Sequence, residues 1–549
     1  MKKTIQKLMA ALLAVAMVCA MAIPAFAYNT EEDLDTNHCY AAFQIFDGVV
    51  SDDNTTISNV NWGKNIPHPE DFLPKLKADS TLRIPFQGAD NLQDVLDVMK
   101  GWTTSDDNSI AFARFVCNYI YTDPNADSTP VRQGGHTGGF EIEKPGYYLV
   151  VDTSSFSGSA DGDSYHAYNS FLLNVNKANY HFQITPKVVK PTVEKKVYDN
   201  HDIGSTGEDN GWGSSADHAI NEEFKFRLIA TLPASENNGR AYDYYNKYTV
   251  IFHDTLSEGI TFDRLDKVEI TNGDGGTPQV ITNTHYKLDE VGLPSSFKLS
   301  IDDVKTCVED SAFNLNNGAT ITVTYTAHLN EKAAVNGSAA NKNSVRLQYS
   351  NNPRPDGEYW GYTPNYTPES EVYVYTYQLN NTKRQDSETG DVLEGAGFRL
   401  YSDIACNEEQ EIKLKQNEDG TYSRDFSTEG KGVEMKSADD GTFNVKGLDA
   451  GTYYLKETST PTGFNTCPVT TVVIKANHTG NNVDLNGSTI NGKDVGASGL
   501  STTIINIKAG GITLPSTGGI GTTLFYVIGG GLMVAAIVLL VTKKRMENK

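Results

Sequence analysis

Three residues near the carboxyl end, Lys383, Glu457 and Asn506, have the types needed to join two side chains by an amide bond. A lysine that is desolvated among apolar groups loses its proton and becomes a nucleophile, whereas a buried glutamate takes up a proton. The protonated carboxyl can then polarise the asparagine carboxamide, so that the amine attacks and ammonia leaves. The product is an uncharged isopeptide bond, which removes the cost of burying both groups.

Strand alternation predicts that all three side chains point into one β-sandwich. The residues in phase with them are Tyr377, Leu379 and Asn381 before Lys383, Tyr453 and Leu455 before Glu457, and Ile504 before Asn506. The alternative is a solvated lysine at a strand end and a glutamate that forms a salt bridge at a sheet edge. The coincidence of three inward positions favours the isopeptide bond.

A second set repeats this pattern with a different acid. Asp254 and Asn343 each share a strand face with apolar residues, and the lysine is Lys195 or its neighbour Lys196. Alternation with the flanking valines favours Lys195, and a single β-bulge would reverse that choice. The alternative is an exposed lysine pair and an aspartate in a turn. We predict a Lys195–Asn343 bond with Asp254 as proton shuttle.

The elements that carry these residues are predicted to be β-strands. Short alternating runs such as Thr249–Phe252 are separated by Gly, Asn and Asp clusters, a pattern typical of antiparallel β-sandwiches. Helix signals are few, and the best spans Asn91–Trp102. The predicted fold class is all-β, with tandem immunoglobulin-like sandwiches.

Length and charge limit the architecture and the partners. A chain of 549 residues should form three or four domains. Its net charge of −23 repels phosphate and argues against nucleic-acid binding. Pro- and Asn-rich breaks divide the remaining chain into an amino-terminal domain at 28–187, a middle sandwich at 191–370 and a third sandwich at 371–510.

Both ends of the chain carry targeting signals. Lysines and an apolar run in residues 1–27, ending in Ala25-Phe26-Ala27, predict a signal peptide. Residues 519–542 contain no charge and, at 24 residues, are long enough to cross a bilayer, which needs roughly 20. The basic residues in 543–549 place this tail on the cytoplasmic side. Because both ends are basic, the exported chain is more acidic than the precursor.

A pentapeptide precedes the apolar span, and its residues are Leu514, Pro515, Ser516, Thr517 and Gly518. The order of pentapeptide, apolar span and basic tail resembles the sorting signal of Gram-positive surface proteins. The resemblance implies that a sortase cysteine attacks the carbonyl of Thr517 and releases everything from Gly518 onward. Membrane retention would then be temporary, and the protein would be anchored to the cell wall.

The domains carry a second resemblance. Lys383 with Leu393–Phe398, the run 451–464 and Asn506 resemble the collagen-adhesin B-type domains of sortase-assembled pilins. The stretches 191–197, 254–260 and 343–351 resemble the middle domain of backbone pilins, in which an aspartate assists a Lys–Asn bond. These resemblances imply Cna-A- and Cna-B-type sandwiches with Asp254 and Glu457 as proton shuttles.

Residues 181–187 resemble the pilin motif of the same family, which is commonly Val-Tyr-Pro-Lys, with Thr185 where the family often has an aromatic residue. The resemblance implies that Lys187 attacks the acyl-sortase intermediate at Thr517 of another copy. A chain with both donor and acceptor forms an open head-to-tail polymer. The implied partners are pilin-class and housekeeping sortases, further copies of this chain, minor pilins, peptidoglycan and a host or cell-surface ligand. The alternative function is a monomeric wall-anchored adhesin with a β-sandwich stalk.

The remaining chemistry is sparse. Cys39 and Cys117 could form a disulfide outside the cell, as could Cys406 and Cys467, which would leave Cys307 unpaired. The sequence has none of the motifs HExxH, GxSxG or the P-loop, and it indicates no metal or cofactor. We therefore expect no enzyme activity beyond the formation of the chain's own cross-links.

Overall fold

The structure is a computed structural model in which strands predominate and helices are few. It describes residues 39–50, 57–103, 106–134, 140–153, 170–176, 180–182, 190–200, 211–235, 240–273, 275–289, 296–310, 312–335, 341–353, 366–427, 432–495, 499–510, 529, 532–541 and 543–544. The predicted signal peptide, Lys187 and the sorting pentapeptide lie outside these residues.

The first unit contains a sheet with helices packed on one face. Its strands are β1 (Tyr40–Val50), β2 (Ile57–Trp62), β3 (Arg132–Gly134), β4 (Phe140–Ile142), β5 (Gly146–Asp152), β6 (Ser170–Val175) and β7 (Tyr180–Phe182), and its helices are α1 (Pro69–Ala78), α2 (Arg83–Phe86), α3 (Leu92–Met99) and α4 (Asp107–Thr122). The sheet order is β2-β1-β5-β6, with β3 beside β1, and β4 pairs with β7.

The helices of the first unit cover the sheet because they carry its main hydrophobic core. Phe72, Phe86, Val95 and Phe112 are buried against the inner residues of β1 and β5. The predicted helix at 91–102 is present as α3, and the Asn91 side chain caps it by accepting from the backbone N–H of Asp94. Helices therefore cover one face of the main sheet, and Ile142 of β4 packs against its other face.

The second unit is a sandwich of two six-stranded sheets. Its strands are β8 (Thr192–Tyr198), β9 (Trp212–Gly213), β10 (Ser215–Asp217), β11 (Glu223–Leu232), β12 (Val250–Leu256), β13 (Ile260–Asn272), β14 (Gln279–Val280), β15 (Tyr286–Asp289), β16 (Ser296–Ile301), β17 (Ala319–Leu329), β18 (Asn341–Tyr349) and β19 (Ser370–Tyr375). One sheet has the order β10-β19-β18-β12-β16-β15 and the other β14-β13-β17-β11-β8-β9.

Strand β19 changes the boundary between the second and third units. It pairs antiparallel with β18, in a register that places Asn343 opposite Val372, and Val372 and Val374 are buried in the second core. Residues 370–375 therefore belong to the second sandwich. We place its end at Tyr375 rather than at residue 370.

The third unit is a smaller sandwich. Its strands are β20 (Tyr377–Gln385), β21 (Gly397–Tyr401), β22 (Glu411–Ile412), β23 (Leu414–Gln416), β24 (Tyr422–Arg424), β25 (Met435–Lys436), β26 (Val445–Leu448), β27 (Gly451–Ser459), β28 (Thr470–Ile474), β29 (Asn477–Thr479), β30 (Asn482–Asp484), β31 (Thr489–Ile490), β32 (Lys493–Asp494) and β33 (Ser501–Asn506). The sheets have the orders β23-β24-β26-β20-β33 and β22-β21-β27-β28-β31-β32, with β25 beside β21, and β29 pairs with β30.

Candidate functional site

Lys383 and Asn506 meet because the first and last strands of the third unit are neighbours. Strands β20 and β33 pair in parallel, with Lys383 opposite Ile504. The Lys383 Nζ donates to Oδ1 of Asn506 and, at 3.3 Å, to the backbone carbonyl of Ile504. The amine thus contacts the carboxamide that it would have to attack.

Glu457 reaches the same carboxamide from the facing sheet. Its Oε1 accepts a hydrogen bond of 2.7 Å from Asn506 Nδ2. Its Oε2 accepts from the backbone N–H of Cys467 at 2.8 Å and from Thr460 Oγ1 at 3.3 Å. These bonds hold the carboxyl beside the nitrogen that would leave as ammonia.

The third-unit cluster is removed from solvent. Lys383 and Asn506 are 0% exposed and Glu457 is 4% exposed. The Lys383 Nζ lies 5.9 Å from the centre of the Phe398 ring. Burial lowers the pKa of Lys383, and the nearby Cys467 and Glu457 only partly oppose that shift. The neutral, nucleophilic amine is therefore favoured relative to a lysine in water.

In the second unit the corresponding residues come from both sheets. Lys195 lies on β8 of one sheet, while Asp254 and Asn343 lie on the neighbouring strands β12 and β18 of the other. The Lys195 Nζ forms an ion pair with Asp254 Oδ2 and donates to Asn343 Oδ1 at 2.5 Å. All three side chains are buried.

The structure distinguishes the two neighbouring lysines. Strand β8 alternates between exposed and buried positions, and Lys195 faces the core together with Val197. Lys196 faces outward, where its Nζ lies 3.7 Å from Glu194 Oε1. No bulge interrupts the pairing of β8 with β11, so alternation places Lys195 at the triad.

Tyr325 is a fourth member of this cluster that the triad pattern did not identify. Its hydroxyl donates to Asp254 Oδ1 at 3.2 Å and accepts from Asn343 Nδ2 at 2.6 Å. The alternation of Thr320–Tyr325 in the sequence is enough to place Tyr325 in the core. Its link to Asp254 depends on a contact between the two sheets, which alternation along one strand does not encode.

Burial shifts the pKa values of this cluster in the directions that the reaction requires. It lowers the pKa of Lys195 to about 8, although the Asp254 carboxylate acts in the opposite direction. It raises the pKa of Asp254 despite the amine, and it raises that of Tyr325 well above its usual range. Each shift favours the neutral form, which is an amine nucleophile beside a protonated acid.

The possible disulfide between Cys406 and Cys467 is not formed in this structure, where both residues are thiols. Cys467 lies beside Glu457 on the inner side of β27, whereas Cys406 lies near Lys456, which precedes Glu457 and faces the other way. Cys117 is buried within α4, and Cys39 lies before β1, near Asp152.

The predicted residues for joining one copy to another, Lys187 and Thr517, lie outside the described residues, as does the rest of the pentapeptide. Most of the predicted span 519–542 is also outside them, and residues 532–541 are helical. Within the described part of the chain, no helix is both long and apolar enough to span a membrane.

Two sequence families match this chain. Residues 380–489 match the SpaA family, described as a prealbumin-like fold domain, and residues 506–548 match the LPXTG cell wall anchor motif. The first match covers most of the third sandwich, and the second covers the pentapeptide, the apolar span and the basic tail. These are the two regions with the clearest resemblances in the sequence.

The chain is also similar to surface pilins. It is 25% identical over 460 residues to the trypsin-resistant surface T6 protein of Streptococcus pyogenes serotype M6, covering 71% of this chain and 78% of that protein. Among solved structures, the T6 backbone pilin of serotype M6 Streptococcus pyogenes has 17% identity and a TM-score of 0.47, covering 87% of this chain and 97% of that one. The major pilin SpaD from Corynebacterium diphtheriae has 22% identity and a TM-score of 0.40, covering 70% and 86%.

The two family matches define an LPXTG-anchored surface protein, as the sequence predicted, and the chain resembles the backbone pilins. The LPXTG motif anchors the chain at the cell wall.

Proposed function

We propose that this chain is polymerised covalently and that two internal Lys–Asn bonds stiffen each subunit. A pilin-class sortase cleaves between Thr517 and Gly518 and transfers Thr517 to Lys187 of the next copy. A housekeeping sortase finally attaches the fibre to peptidoglycan, and minor pilins complete it. The observation that carries the proposal is the presence of an LPXTG anchor on a chain with two buried clusters of lysine, acid and asparagine.

In the third unit the neutral Lys383 amine attacks Cγ of Asn506. The new C–N bond forms as the bond from Cγ to Nδ2 breaks, and the proton lost by the amine leaves with Nδ2 as ammonia. Glu457 accepts a hydrogen bond from that nitrogen at 2.7 Å, so it is placed to transfer the proton. The carboxyl is regenerated and no external reagent is consumed.

In the second unit Lys195 attacks Asn343 in the same way. Here the acid does not contact the leaving nitrogen directly, since the Tyr325 hydroxyl stands between Asp254 and Asn343 Nδ2. The protonated Asp254 passes its proton through the Tyr325 hydroxyl to the leaving nitrogen, and it takes up the proton that the Lys195 amine loses on attack. Both side chains are thus regenerated and the nitrogen leaves as ammonia. This chemistry acts only on the chain itself. In this proposal the protein is therefore a structural subunit, and its LPXTG motif makes it a substrate of sortases.

Replacing Lys187 by alanine is expected to abolish the covalent ladder of high-mass polymers on the cell surface. The change removes the only amine that the proposal assigns as acceptor, while the sorting motif stays intact. The measurement is an immunoblot of wall extracts boiled in detergent. Lys190→Ala is the matched control because it removes a neighbouring lysine, and it should leave the ladder unchanged.

A ladder that persists unchanged in Lys187→Ala would contradict the assigned linkage. A wild-type chain found only as a wall-linked monomer would instead support the alternative, an adhesin with a β-sandwich stalk.

Replacing Tyr325 by phenylalanine is expected to slow formation of the second-unit bond by about 10²-fold, the scale of a lost general acid–base group. The time course of ammonia loss in newly made chain, followed by intact mass, measures the rate. Tyr242→Phe is the control, because it removes a buried hydroxyl that donates to the Pro233 carbonyl in the same unit. Equal rates in both variants would exclude Tyr325 from the proton path.

A further inference from the structure

Buried and partly buried polar side chains gather where the second and third units meet. The backbone N–H of Ile220 donates to the Gly447 carbonyl at 3.0 Å across this junction. Around this contact lie His218 and Glu222 from the second unit and Asp449 from the third. Neither predicted cross-link uses any of these three residues.

His218 has one ring nitrogen that is buried without a partner. Its Nε2 donates to the Tyr198 carbonyl at 2.7 Å, which leaves Nδ1 with a lone pair. Within the described part of the chain, no hydrogen-bond donor reaches this Nδ1. The ring is 2% exposed and stacks on Phe224, with 4.2 Å between ring centres. An acceptor buried in this way is costly unless something binds it.

Two carboxylates face the same ring. One oxygen of Glu222, one of Asp449 and one ring nitrogen of His218 lie within 4.8 Å of one another. Other contacts hold the two acids in place, because Glu222 Oε2 accepts from the Ala219 N–H at 3.0 Å and Asp449 Oδ1 from the Ala450 N–H at 2.8 Å. Asp449 is itself buried.

We propose that His218, Glu222 and Asp449 bind a divalent transition-metal ion of the zinc type at the junction. One imidazole and two carboxylates form a three-ligand set of the kind that binds zinc, with bonds of about 2.0–2.2 Å that small side-chain rotations allow. The hydrogen bond from Nε2 to a backbone carbonyl is the usual support for a metal-ligating histidine. Calcium is disfavoured because it takes oxygen ligands alone.

A neighbouring group of the same composition type, Asp199, Asp217 and His478, differs from this site in the hydrogen bonding of its histidine. Its ligand atoms are equally close together, but both His478 nitrogens are engaged, Nδ1 with Ser215 Oγ at 3.0 Å and Nε2 with Asp199 Oδ2 at 3.2 Å. Tyr377 also donates to Asp217 at 2.9 Å. Asp217 also hydrogen-bonds Asp449, so the two groups adjoin, and His478, whose nitrogens are both engaged, is the control residue.

The ion would take ligands from both units and so would fix their relative orientation. Because it binds only when the junction is formed, it would stabilise the native arrangement by an amount that grows with the logarithm of its free concentration.

The test uses the untagged full-length chain, purified in detergent and stripped with a chelator. Zinc chloride is added and bound metal is counted by mass spectrometry, with X-ray absorption to identify the ligand atoms. We expect one zinc per chain with nitrogen and oxygen ligands, a rise in melting temperature of several degrees, and no comparable binding of calcium. Asp449→Asn and His218→Phe should abolish the site, whereas His478→Gln should retain it.

Absence of bound zinc in the wild-type chain would overturn the proposal. Sulfur ligands in the absorption spectrum would also overturn it, because they would assign the metal to a cysteine thiol. Unchanged binding in both Asp449→Asn and His218→Phe would do the same, and loss in His478→Gln alone would move the ion to the neighbouring group.

Discussion

Replacing Glu457 by alanine is expected to leave Lys383 and Asn506 unjoined, so that the exported chain retains one ammonia. The unfolding free energy of the third unit should fall by about 4–5 kcal/mol, the scale for losing a cross-link that closes a loop of more than 100 residues. The two joined residues are 123 apart in sequence. Intact mass and calorimetry measure the two effects.

Glu457→Gln separates chemistry from packing. Glutamine keeps the shape of the side chain and can still contact Asn506 and the Cys467 N–H, but it cannot receive a proton and pass it on. We expect the same retained ammonia with less structural disturbance than in the alanine variant. Complete ammonia loss in either variant would rule out Glu457 as the proton shuttle.

Replacing Lys195 by methionine is expected to have a still larger effect on the second unit. The variant loses a cross-link between residues 148 apart, worth about 4–5 kcal/mol. It also leaves Asp254 buried without the isopeptide N–H beside it, and a buried polar group left without a partner costs about 1–3 kcal/mol more. Lys196→Met is the matched control, because it removes an outward-facing lysine and should cost less than about 1 kcal/mol.

The Lys195→Met variant should also become less stable as the pH rises. Burial raises the pKa of Asp254, so in this variant the native state holds a proton that the unfolded chain releases at the ordinary carboxyl pKa of about 3.9. Stability is then greatest below that value and falls as the pH rises toward the raised native pKa. Chemical denaturation at pH 4 and pH 7 tests this, and equal stability at the two values would contradict a buried, protonated Asp254.

Much of the candidate site follows from strand alternation alone. Inward phase and apolar neighbours are local properties of a strand, and the structure buries Lys383, Glu457 and Asn506 as that phase predicts. Lys195 is placed by the same rule. The role of Tyr325 could not be predicted in this way, because it depends on which residue faces Tyr325 across two packed sheets.

The helices of the first unit were harder to predict for a different reason. Helix α4 is rich in residues that favour strands, including Ile110, Phe112, Val116 and Ile120. Their spacing nevertheless buries one face of a helix against the sheet, so tertiary packing overrides local preference. The second sandwich was predicted to end at residue 370, before most of β19, because a Pro- and Asn-rich segment that resembles a linker precedes this strand.

The positions of the two Lys–Asn contacts determine how a pilus would carry tension. In a fibre joined through Lys187 and Thr517, force enters each subunit just before β8 and leaves after β33. The first unit precedes Lys187 in sequence, so the force is not transmitted through it. Each Lys–Asn bond would carry the force directly between residues that are 148 or 123 apart in sequence, so the chain between them could not be pulled out. Without the bond, that chain would extend by about 3.4 Å per residue. The unit without a predicted cross-link is thus the one that bears no load.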